Sequence, residues 1–531
     1  MRTSVDGSVN QIRTAKEPLN DLNFSDLHKE TAMEASLELV VEYEVEPPFS
    51  SVKIVRDIRT GTVSYIVNEP DVGREVAEMA RIARQILISS LKSFPRTEQE
   101  RLNYLREFLA DFKKSREGML SKIDLEKIFY LLQRELQGYG PVQVPVLDDN
   151  VEDISCVGPN AQIYVVHRKF GSISTNIEFE NEDELDDFVR RIVQRSGKHI
   201  SIAVPMVDCT MPNGARLQAT LGREVTKNGS SFTIRRFREQ PFTPLDLIKI
   251  GTMSPEIAVY LWQAVEAEQN MFVIGGTATG KTTTLNSILL FVPPEKKLVS
   301  IEDTRELNIP HENWIQMLTR PGTGDVNPAT KKRVGELDMF NLLVNSLRQR
   351  PDYIIVGEVR GREAYTVFQA MSTGQSVIST FHANDISSFV HRLEGEPLNI
   401  PRAMISSLDI VILQTLTKVG KDTVRRIKKI VEIVDLEKTS NEVVTNTVFE
   451  WDPDTDKFTF SGHSYFQNRL LKNGGLTSEQ FEMELINRRN LLDRLAVGNS
   501  VKFSNFADEI HRMIEKPGSQ FKGKNKERSG S

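Results

Sequence analysis

The sequence predicts an α/β fold, with an N-terminal α+β region that holds a helical bundle, a flexible linker, and a C-terminal domain on a mostly parallel sheet. The first observation is the octapeptide at 275–282, Gly-Gly-Thr-Ala-Thr-Gly-Lys-Thr, which fits the P-loop pattern G-x-x-x-x-G-K-[ST]. The second is its context, because an apolar run at 271–274 precedes it as a buried strand would and a helical segment at 283–290 follows. The third is the recurrence of short apolar runs between helical segments, at 298–301, 353–356, 376–379 and 409–413. Such runs are typical of a parallel sheet buried on both faces.

The P-loop pattern predicts a site for the phosphates of a nucleoside triphosphate. Backbone N–H groups must grip the phosphates, and glycine lets the backbone turn tightly and approach them. Lys281 then reaches the β and γ phosphates, and the Thr282 hydroxyl binds Mg²⁺. We expect the nucleotide to be bound by Gly275, Gly276, Thr277, Ala278, Thr279, Gly280, Lys281, Thr282 and Thr283. A chance glycine-rich turn is the alternative, and the order of strand, loop and helix disfavours it.

A chain of 531 residues is too long for one ordinary core, so we expect two or three domains. Residues 1–35 are polar and aperiodic and are predicted to form a mobile arm. An N-terminal domain is predicted at 36–238, with a helical bundle at 72–137 and an α/β part at 143–238. The prolines near 241–244 indicate an inter-domain linker at 239–250.

The C-terminal domain is predicted at 251–515, including a C-terminal extension. In that extension, strand-like runs on either side of 452–456 suggest a hairpin, and helices are expected at 478–496 and 504–515. The tail at 516–531 has more bases than acids and is predicted to be disordered, with docking on an acidic membrane surface as the weaker interpretation.

The composition is that of a globular protein, with 39% hydrophobic and 26% charged residues. A net charge of −6 gives no general electrostatic reason to bind nucleic acid. No apolar run has the length of a membrane span and the N-terminus lacks a signal-peptide core, so we expect a cytoplasmic protein. Cys156 and Cys209 cannot form a four-cysteine zinc site, and we expect both to be structural and reduced.

Two further apolar runs end in acids. The run at 298–301 delivers Glu302 and Asp303, and the run at 353–356 has the Walker B form and leads to Glu358. Ligands of open α/β sheets bind beyond the carboxyl ends of the strands, where carboxylates can position water or help to hold Mg²⁺. The alternatives are acids in a solvated turn and a buried strand that happens to end in an acid.

The segment at 372–384, which contains His382, completes a set of three boxes with 301–306 and 357–360. Together with the P-loop, these segments resemble the Asp box, Walker B and His box of the type II/type IV secretion ATPase superfamily. The resemblance covers about 140–435, and its archaeal branch fits best, because the following segments are similar to archaeal motor and pilus-assembly ATPases: 205–216, 391–395 and 405–411. The chain is most like the archaellum (archaeal flagellum) motor ATPases. Bacterial assembly ATPases commonly carry a tetracysteine zinc module, which this chain lacks.

The resemblance implies a homo-hexameric ring of two-lobed subunits, with ATP held between the N-terminal domain and a RecA-like P-loop NTPase domain. It implies that Glu302 activates water, that Glu358 senses the γ-phosphate and shares the Mg²⁺ with Thr282, and that His382 reads the γ-phosphate state. The division of roles between the two glutamates stays open. Gln375 replaces a histidine common in bacterial members, so no role is assigned to it.

The resemblance also implies arginine fingers from the N-terminal domain. Arg216 matches the glycine-x-arginine strand of the family, and Arg235 and Arg236 match the basic pair before the linker. Isolated arginines in strands are more often partners in surface ion pairs, so both interpretations are carried forward.

The expected function is a Mg²⁺-dependent ATPase at the cytoplasmic face of the membrane that drives assembly or rotation of an archaellum. Its expected partners are a polytopic membrane platform protein and an accessory motor ATPase-like protein, and membrane lipid is a further candidate. One alternative is an archaeal pilus or type II secretion assembly ATPase. A nucleic-acid translocating RecA-like ATPase is disfavoured by the acidic charge, and no nucleic acid is expected. A non-catalytic scaffold is disfavoured because the expected carboxylates are present.

Overall fold

The structure, a computed structural model, describes residues 36–90, 97–116, 119–236, 241–320, 322, 333–420, 422–437, 442–473, 477–497 and 503–514. The chain divides into two compact units, Met1–Phe237 and Arg238–Ser531. The arm predicted at 1–35 and the tail predicted at 516–531 lie outside the described residues. Within the described part of the chain, no helix is both long enough and apolar enough to cross a bilayer.

The first unit is built on a sheet that has nine strands among its described residues. These strands are β1 (Leu37–Glu46), β2 (Ser50–Asp57), β3 (Val63–Asn68), β4 (Val151–Cys156), β5 (Gln162–His167), β6 (Gly171–Glu178), β7 (Met206–Thr210), β8 (Arg216–Thr220) and β9 (Ser231–Arg235). They lie in the order β1-β2-β3-β6-β5-β4-β9-β8-β7. β3 pairs with β6 in parallel. The other neighbouring pairs described in this sheet are antiparallel.

The helices described in the first unit are α1 (Arg74–Ser90), α2 (Glu98–Lys114), α3 (Lys122–Leu136), α4 (Gln143–Leu147) and α5 (Glu182–Arg195). The helical stretch predicted at 72–137 therefore contains three helices. α2 and α3 each begin with a capping box, in which the N-cap side chain and the acid three residues later satisfy each other's backbone N–H groups. The N-caps are Thr97 and Ser121.

The second unit is built on another sheet with nine described strands. They are β10 (Met271–Gly275), β11 (Leu298–Glu302), β12 (Trp314–Leu318), β13 (Tyr353–Val356), β14 (Ser376–His382), β15 (Ile410–Val419), β16 (Asp422–Leu436), β17 (Val443–Asp452) and β18 (Lys457–Phe460). Their order is β12-β11-β13-β14-β10-β15-β16-β17-β18. The pairs from β12 to β15 are parallel, and those from β15 to β18 are antiparallel.

The helices described in the second unit are α6 (Pro244–Lys249), α7 (Pro255–Glu266), α8 (Lys281–Ile288), α9 (Met339–Leu347), α10 (Glu363–Ser372), α11 (Ile386–Glu394), α12 (Arg402–Ile405), α13 (Tyr465–Asn473), α14 (Ser478–Val497) and α15 (Phe503–Ile514). The sheet is covered on both faces. In β10, for example, Met271 and Val273 belong to one buried cluster while Phe272 and Ile274 belong to another. This double burial explains the continuous apolar runs, and the predicted α/β class is confirmed.

Helix α6 occupies half of the stretch predicted as a flexible linker at 239–250, and the sequence pattern did not predict this helix. Thr243 and Asp246 form a capping box around Pro244 at the first helical position. Leu247 is 2% exposed and packs in the core of the second unit. Residues 244–249 are therefore part of the folded second unit.

The C-terminal extension is fixed to the second unit by a buried arginine. Arg488 of α14 is fully buried, and its guanidinium lies 2.8 Å from Glu266 Oε2 and 3.2 Å from Glu484 Oε1. Its Cζ also lies 4.6 Å from the ring centroid of Trp262 in α7. An arginine is rarely buried without such partners, so α14 and α7 form a single packed layer.

Candidate nucleotide site

The P-loop connects β10 to α8 through backbone conformations that its sequence makes accessible. Gly280 has a φ of 93° and Ala278 a φ of 60°, both in the left-handed region. A Cβ added at Gly275 would lie 2.5 Å from the Gln414 carbonyl oxygen and 2.7 Å from Thr279 Oγ1, so only glycine fits there. The loop is thus held close to the neighbouring strand β15.

Lys281 stands at the start of α8 and folds back over the loop. Its Nζ donates to the Gly276 carbonyl at 2.8 Å, and Thr279 Oγ1 donates to the same oxygen at 3.0 Å. Burial lowers the pKa of Lys281, and the nearby Glu358 carboxylate opposes that shift. Because an ammonium has three donors, the bond to Gly276 leaves two for phosphate oxygens.

The parallel register places the predicted acids and the histidine along the edge of the sheet that carries the P-loop. Gly275 is paired with His382 of β14 on one side and with Gln414 of β15 on the other. Glu302 ends β11, and Glu358 follows β13 by two residues. Since the carboxyl ends of parallel strands meet at one edge, the P-loop, both glutamates and His382 are brought together.

Glu302 is a buried carboxylate that is only half satisfied. Glu302 is 2% exposed, and its Oε1 accepts hydrogen bonds from the N–H groups of Glu306 and Leu307 at 2.8 and 2.9 Å. Oε2 is buried and has no hydrogen-bond partner among the described residues. Burial raises the pKa of Glu302 to about 7 in spite of the two backbone bonds. A carboxylate with this pKa and one uncommitted oxygen is suited to accept a proton near neutral pH.

Glu358 occupies a more open position. Its side chain is 27% exposed and forms an ion pair with Arg360. The N–H groups of Arg360 and Gly361 each donate to Glu363 Oε1 at 2.7 Å, which fixes the turn that follows Glu358. A cavity of about 550 Å³ opens beside this turn and is lined by Arg360 and by Asp303, among others. A partly hydrated carboxylate of this kind suits a cation or phosphate-sensing role better than that of a buried base.

His382 ends β14 with its backbone locked to the start of the P-loop. Its carbonyl accepts a hydrogen bond from Arg392. Its imidazole forms no hydrogen bond within the described part of the chain. The next loop brings Asn384 close, since a Cβ at Gly276 would lie 3.1 Å from Asn384 Oδ1. Asn384 was not among the predicted site residues.

Two more residues beside the P-loop were missed. Gln414 is 3% exposed, and its Nε2 lies 3.1 Å from the position of a Cβ on Gly280. Arg425 of β16 donates from Nε to the Ala278 carbonyl at 2.9 Å. A polar residue that ends the apolar run at 409–413 was the one available signal for Gln414, and Arg425 lies in no recognisable motif.

In the first unit, Arg216 and Arg235 lie side by side. They are directly opposite each other on β8 and β9, so their side chains share one face of the sheet. Arg216 Nη2 donates to Asp208 Oδ2 at 2.5 Å, and Arg235 Nε lies 3.2 Å from Asp153 Oδ1. Their side chains are 43% and 68% exposed, so both cations are accessible from solvent.

Arg236 has a different environment. Its side chain is 14% exposed, and its guanidinium donates to the backbone carbonyls of Leu147, Asp148 and Val151. These bonds join the end of β9 to the loop before β4. The Arg236 guanidinium is thus bonded to backbone carbonyls, in contrast to those of the exposed pair Arg216 and Arg235.

Comparison with known protein families identifies the family of this chain. The family model described as type II/IV secretion system protein matches residues 135–451, more than half of the sequence. The chain belongs to this family. The span matched by the type II/IV secretion family contains the P-loop, both glutamates, His382 and the three arginines, while α14 and α15 lie beyond it.

The chain is also similar to individual proteins. The uncharacterized protein MJ0900 of Methanocaldococcus jannaschii is 38% identical over 397 residues, which is 74% of this chain and 70% of the relative. The type IV secretion system protein VirB11 of Bartonella henselae is 26% identical over 43% of this chain and 75% of its own length. The X-ray structure of the Legionella pneumophila ATPase DotB is 17% identical, covers 65% of this chain and 84% of its own, and superposes with a TM-score of 0.38.

Proposed function

We propose that this member of the type II/IV secretion family is an ATPase that hydrolyses ATP with Mg²⁺. The proposal is carried by Glu302, whose buried, unpartnered Oε2 belongs to a carboxylate with a pKa of about 7 at the same sheet edge as a P-loop. A buried carboxylate left half satisfied is costly, and general-base catalysis is a reason to retain one.

The residues present fit both the nucleotide and the metal. Backbone N–H groups of 276–282 and the Lys281 ammonium bind the phosphates. The Thr282 hydroxyl and the Glu358 carboxylate are oxygen ligands of the kind that Mg²⁺ prefers. Mg²⁺, when bound, neutralises charge on the β and γ phosphates.

Hydrolysis then needs a positioned water. Glu302 Oε2 would accept a proton from the water as its oxygen attacks the γ-phosphorus, while the bond from that phosphorus to the β–γ bridging oxygen breaks and ADP leaves. The N–H groups of Glu306 and Leu307 hold the other carboxylate oxygen in place. His382, whose backbone is paired with Gly275, responds to the presence of the γ-phosphate. We assign the base to Glu302 because Glu358 is already ion-paired and more exposed.

The charge that develops on the γ-phosphate calls for additional cations. We propose that Arg216 and Arg235 supply these cations in a homo-hexameric ring, because the two side chains are exposed and adjacent. We propose that Arg236 stabilises the sheet that carries them. Replacing Arg216 by alanine should lower kcat by about 10³-fold, in the range found for arginine fingers. The same change at Arg223, an exposed arginine paired with Glu182, is the matched control.

The enzymatic proposal is tested by phosphate release from purified full-length protein with Mg²⁺-ATP. Glu302→Gln should bind nucleotide with wild-type affinity and release no phosphate above background. Glu312→Gln removes an exposed carboxylate in the same segment and should leave turnover unchanged. Wild-type turnover by Glu302→Gln would show that another group is the base.

For the cellular task, we propose that hydrolysis drives assembly or rotation of an archaellum through a polytopic membrane platform protein and an accessory motor protein. Support comes from the archaeal motor-like segments of the sequence and from archaeal and secretion-system relatives. The second candidate is assembly of a pilus or pseudopilus by the same chemistry. Cells whose gene encodes Lys281→Ala should lack swimming filaments, as judged by electron microscopy and motility plates. Loss of adhesive pili with normal swimming would favour the second candidate.

We further propose that the protein acts from the cytoplasm at the membrane and binds no nucleic acid. Turnover should respond to membrane vesicles that contain the platform protein and should not respond to DNA. Stimulation by DNA alone would instead favour a nucleic-acid translocase.

A further inference from the structure

Arg425 contacts the backbone of the P-loop. Its Nε donates to the Ala278 carbonyl at 2.9 Å, and this is the only hydrogen bond of the Arg425 side chain among the described residues. Its Cδ lies 3.2 Å from the position of a Cβ on Gly280, so the aliphatic stem covers that glycine. The rest of the side chain is exposed to solvent. The contact joins the phosphate-binding loop to a strand that comes 147 residues later in the chain.

This bond fixes the orientation of one peptide group. In a planar trans peptide, the C=O and the N–H point in opposite directions. Arg425 holds the Ala278 carbonyl towards β16, so the N–H of Thr279 points away from β16, where it is available to a phosphate. Ala278 has a φ of 60°, which a residue with a Cβ does not adopt without support from its surroundings.

The next residue, Arg426, holds the same strand from its opposite face. Its side chain is 7% exposed, and its Nε and Nη2 donate to the two carboxylate oxygens of Asp456 at 2.8 and 3.0 Å. Its Nη1 donates at 3.0 Å to the carbonyl of Ile250, the residue directly after α6. Trp451 Nε1 also donates to Asp456, at 2.8 Å. These bonds hold β16 in place, so the Arg425 side chain extends from a fixed strand and not from a mobile loop.

We propose that Arg425 is a positioning residue of the P-loop, which pre-forms a phosphate-binding N–H through its bond to the Ala278 carbonyl, and that Arg426 holds it in place. The consequence for function rests on the proposed nucleotide binding. The effect on the conformation of the P-loop does not depend on nucleotide binding, so experiments can test the conformational effect and the functional effect separately.

The test compares Arg425→Met, which keeps most of the stem and loses the donor, with Arg425→Lys, which keeps a cation. Lys428→Met is the matched control, because Lys428 is an exposed cation of β16 with no bond to the P-loop. Amide hydrogen exchange is measured by mass spectrometry over 276–281 in full-length, nucleotide-free protein. Arg425→Met should exchange roughly five-fold faster there, as expected for loss of one exposed charge-assisted hydrogen bond. Arg425→Lys should fall between it and the wild type, and Lys428→Met should match the wild type.

The functional arm measures ADP affinity by titration calorimetry and ATP turnover. Arg425→Met should bind ADP roughly five-fold more weakly and show a raised KM, with kcat at saturation within about two-fold of wild type. A five-fold fall in kcat at saturation would show that Arg425 affects more than nucleotide binding and would overturn the proposal. A loss of unfolding free energy as large as the loss of ADP binding free energy would indicate a merely structural role and would also overturn it.

Asp456→Asn provides a second variant, because it weakens the ion pair with Arg426 that holds β16 next to Arg425. It should raise exchange over 276–281 in the same direction and by a smaller factor. If Arg425→Met and Lys428→Met have the same exchange and the same affinity as wild type, the proposal is wrong. If the wild type binds no ADP, the proposed function fails, and the exchange comparison alone decides about Arg425.

Discussion

Replacing Glu302 by glutamine should make the second unit more resistant to unfolding at alkaline pH while it abolishes hydrolysis. The pKa of Glu302 is raised from 4.5 to about 7 by burial, which corresponds to about 3 kcal/mol of folding free energy. The folded state binds the proton more tightly than the unfolded state. The stabilising contribution is therefore fully present below pH 4.5 and is lost as pH rises through about 7.

Glutamine carries no proton equilibrium, so its variant should not show this loss. The unfolding free energy of Glu302→Gln relative to wild type should increase by about 2–3 kcal/mol between pH 5 and pH 8.5. The comparison across pH cancels any constant cost of placing an amide at the position of Oε2. With a slope of about 2–3 kcal/mol per molar urea, the midpoint difference should grow by about 1 M.

Urea unfolding followed by tryptophan fluorescence is the assay, because the chain has 3 tryptophans and all of them lie in the second unit, at 262, 314 and 451. Glu312→Gln serves as the control and should show no such pH dependence. In the wild type, kcat should rise with pH through about 7, and at pH 6 it should be about a tenth of its plateau. A midpoint difference that does not change with pH would mean that Glu302 titrates normally and would refute the buried-base reasoning.

Three further substitutions have defined outcomes. Lys281→Ala should weaken ADP binding at least about 100-fold in calorimetry, because it removes a charge-assisted phosphate contact and not merely a catalytic group. Gly275→Ala should destabilise the second unit by about 1–3 kcal/mol in urea unfolding, because its Cβ would lie 2.5 Å from the Gln414 carbonyl oxygen, and unchanged stability would contradict that geometry. Arg236→Met should lower the thermal midpoint of the first unit, whereas Arg235→Met should lower kcat and leave that midpoint unchanged; the reverse result would exchange their proposed roles.

The sequence was most informative where chemistry requires a fixed local pattern. The apolar runs before Glu302 and Glu358 had to be strands buried on both faces, and the octapeptide at 275–282 had to be a loop between strand and helix. Because parallel strands end at one edge, the convergence of these residues followed from the pattern alone.

What could not be predicted depends on contacts between distant segments. Arg425 reaches the P-loop only because β16 returns antiparallel beside β15, and no local periodicity encodes that pairing. The two backbone bonds to Glu302 Oε1 likewise depend on how the loop at 303–307 folds back on the end of β11. Helix α6 was missed for a different reason. The prolines at 241 and 244 were taken to indicate a linker, although Thr243 and Asp246 have the spacing of a capping box that begins a helix at Pro244.

The buried Arg488 changes how this chain should be divided in the laboratory. A fragment that stops at residue 451, where the family match ends, would lose α14 and with it the Arg488 guanidinium, and it would expose Glu266 and the Trp262 ring to solvent. Apolar surface that a domain normally covers lowers its stability when it is exposed and favours aggregation. The helices after 465 contribute to the core of the second unit, for example through Phe466 and Leu492. We expect a shorter homologue without these helices to carry a smaller or more polar side chain in place of Trp262, and its sequence can be searched for that substitution.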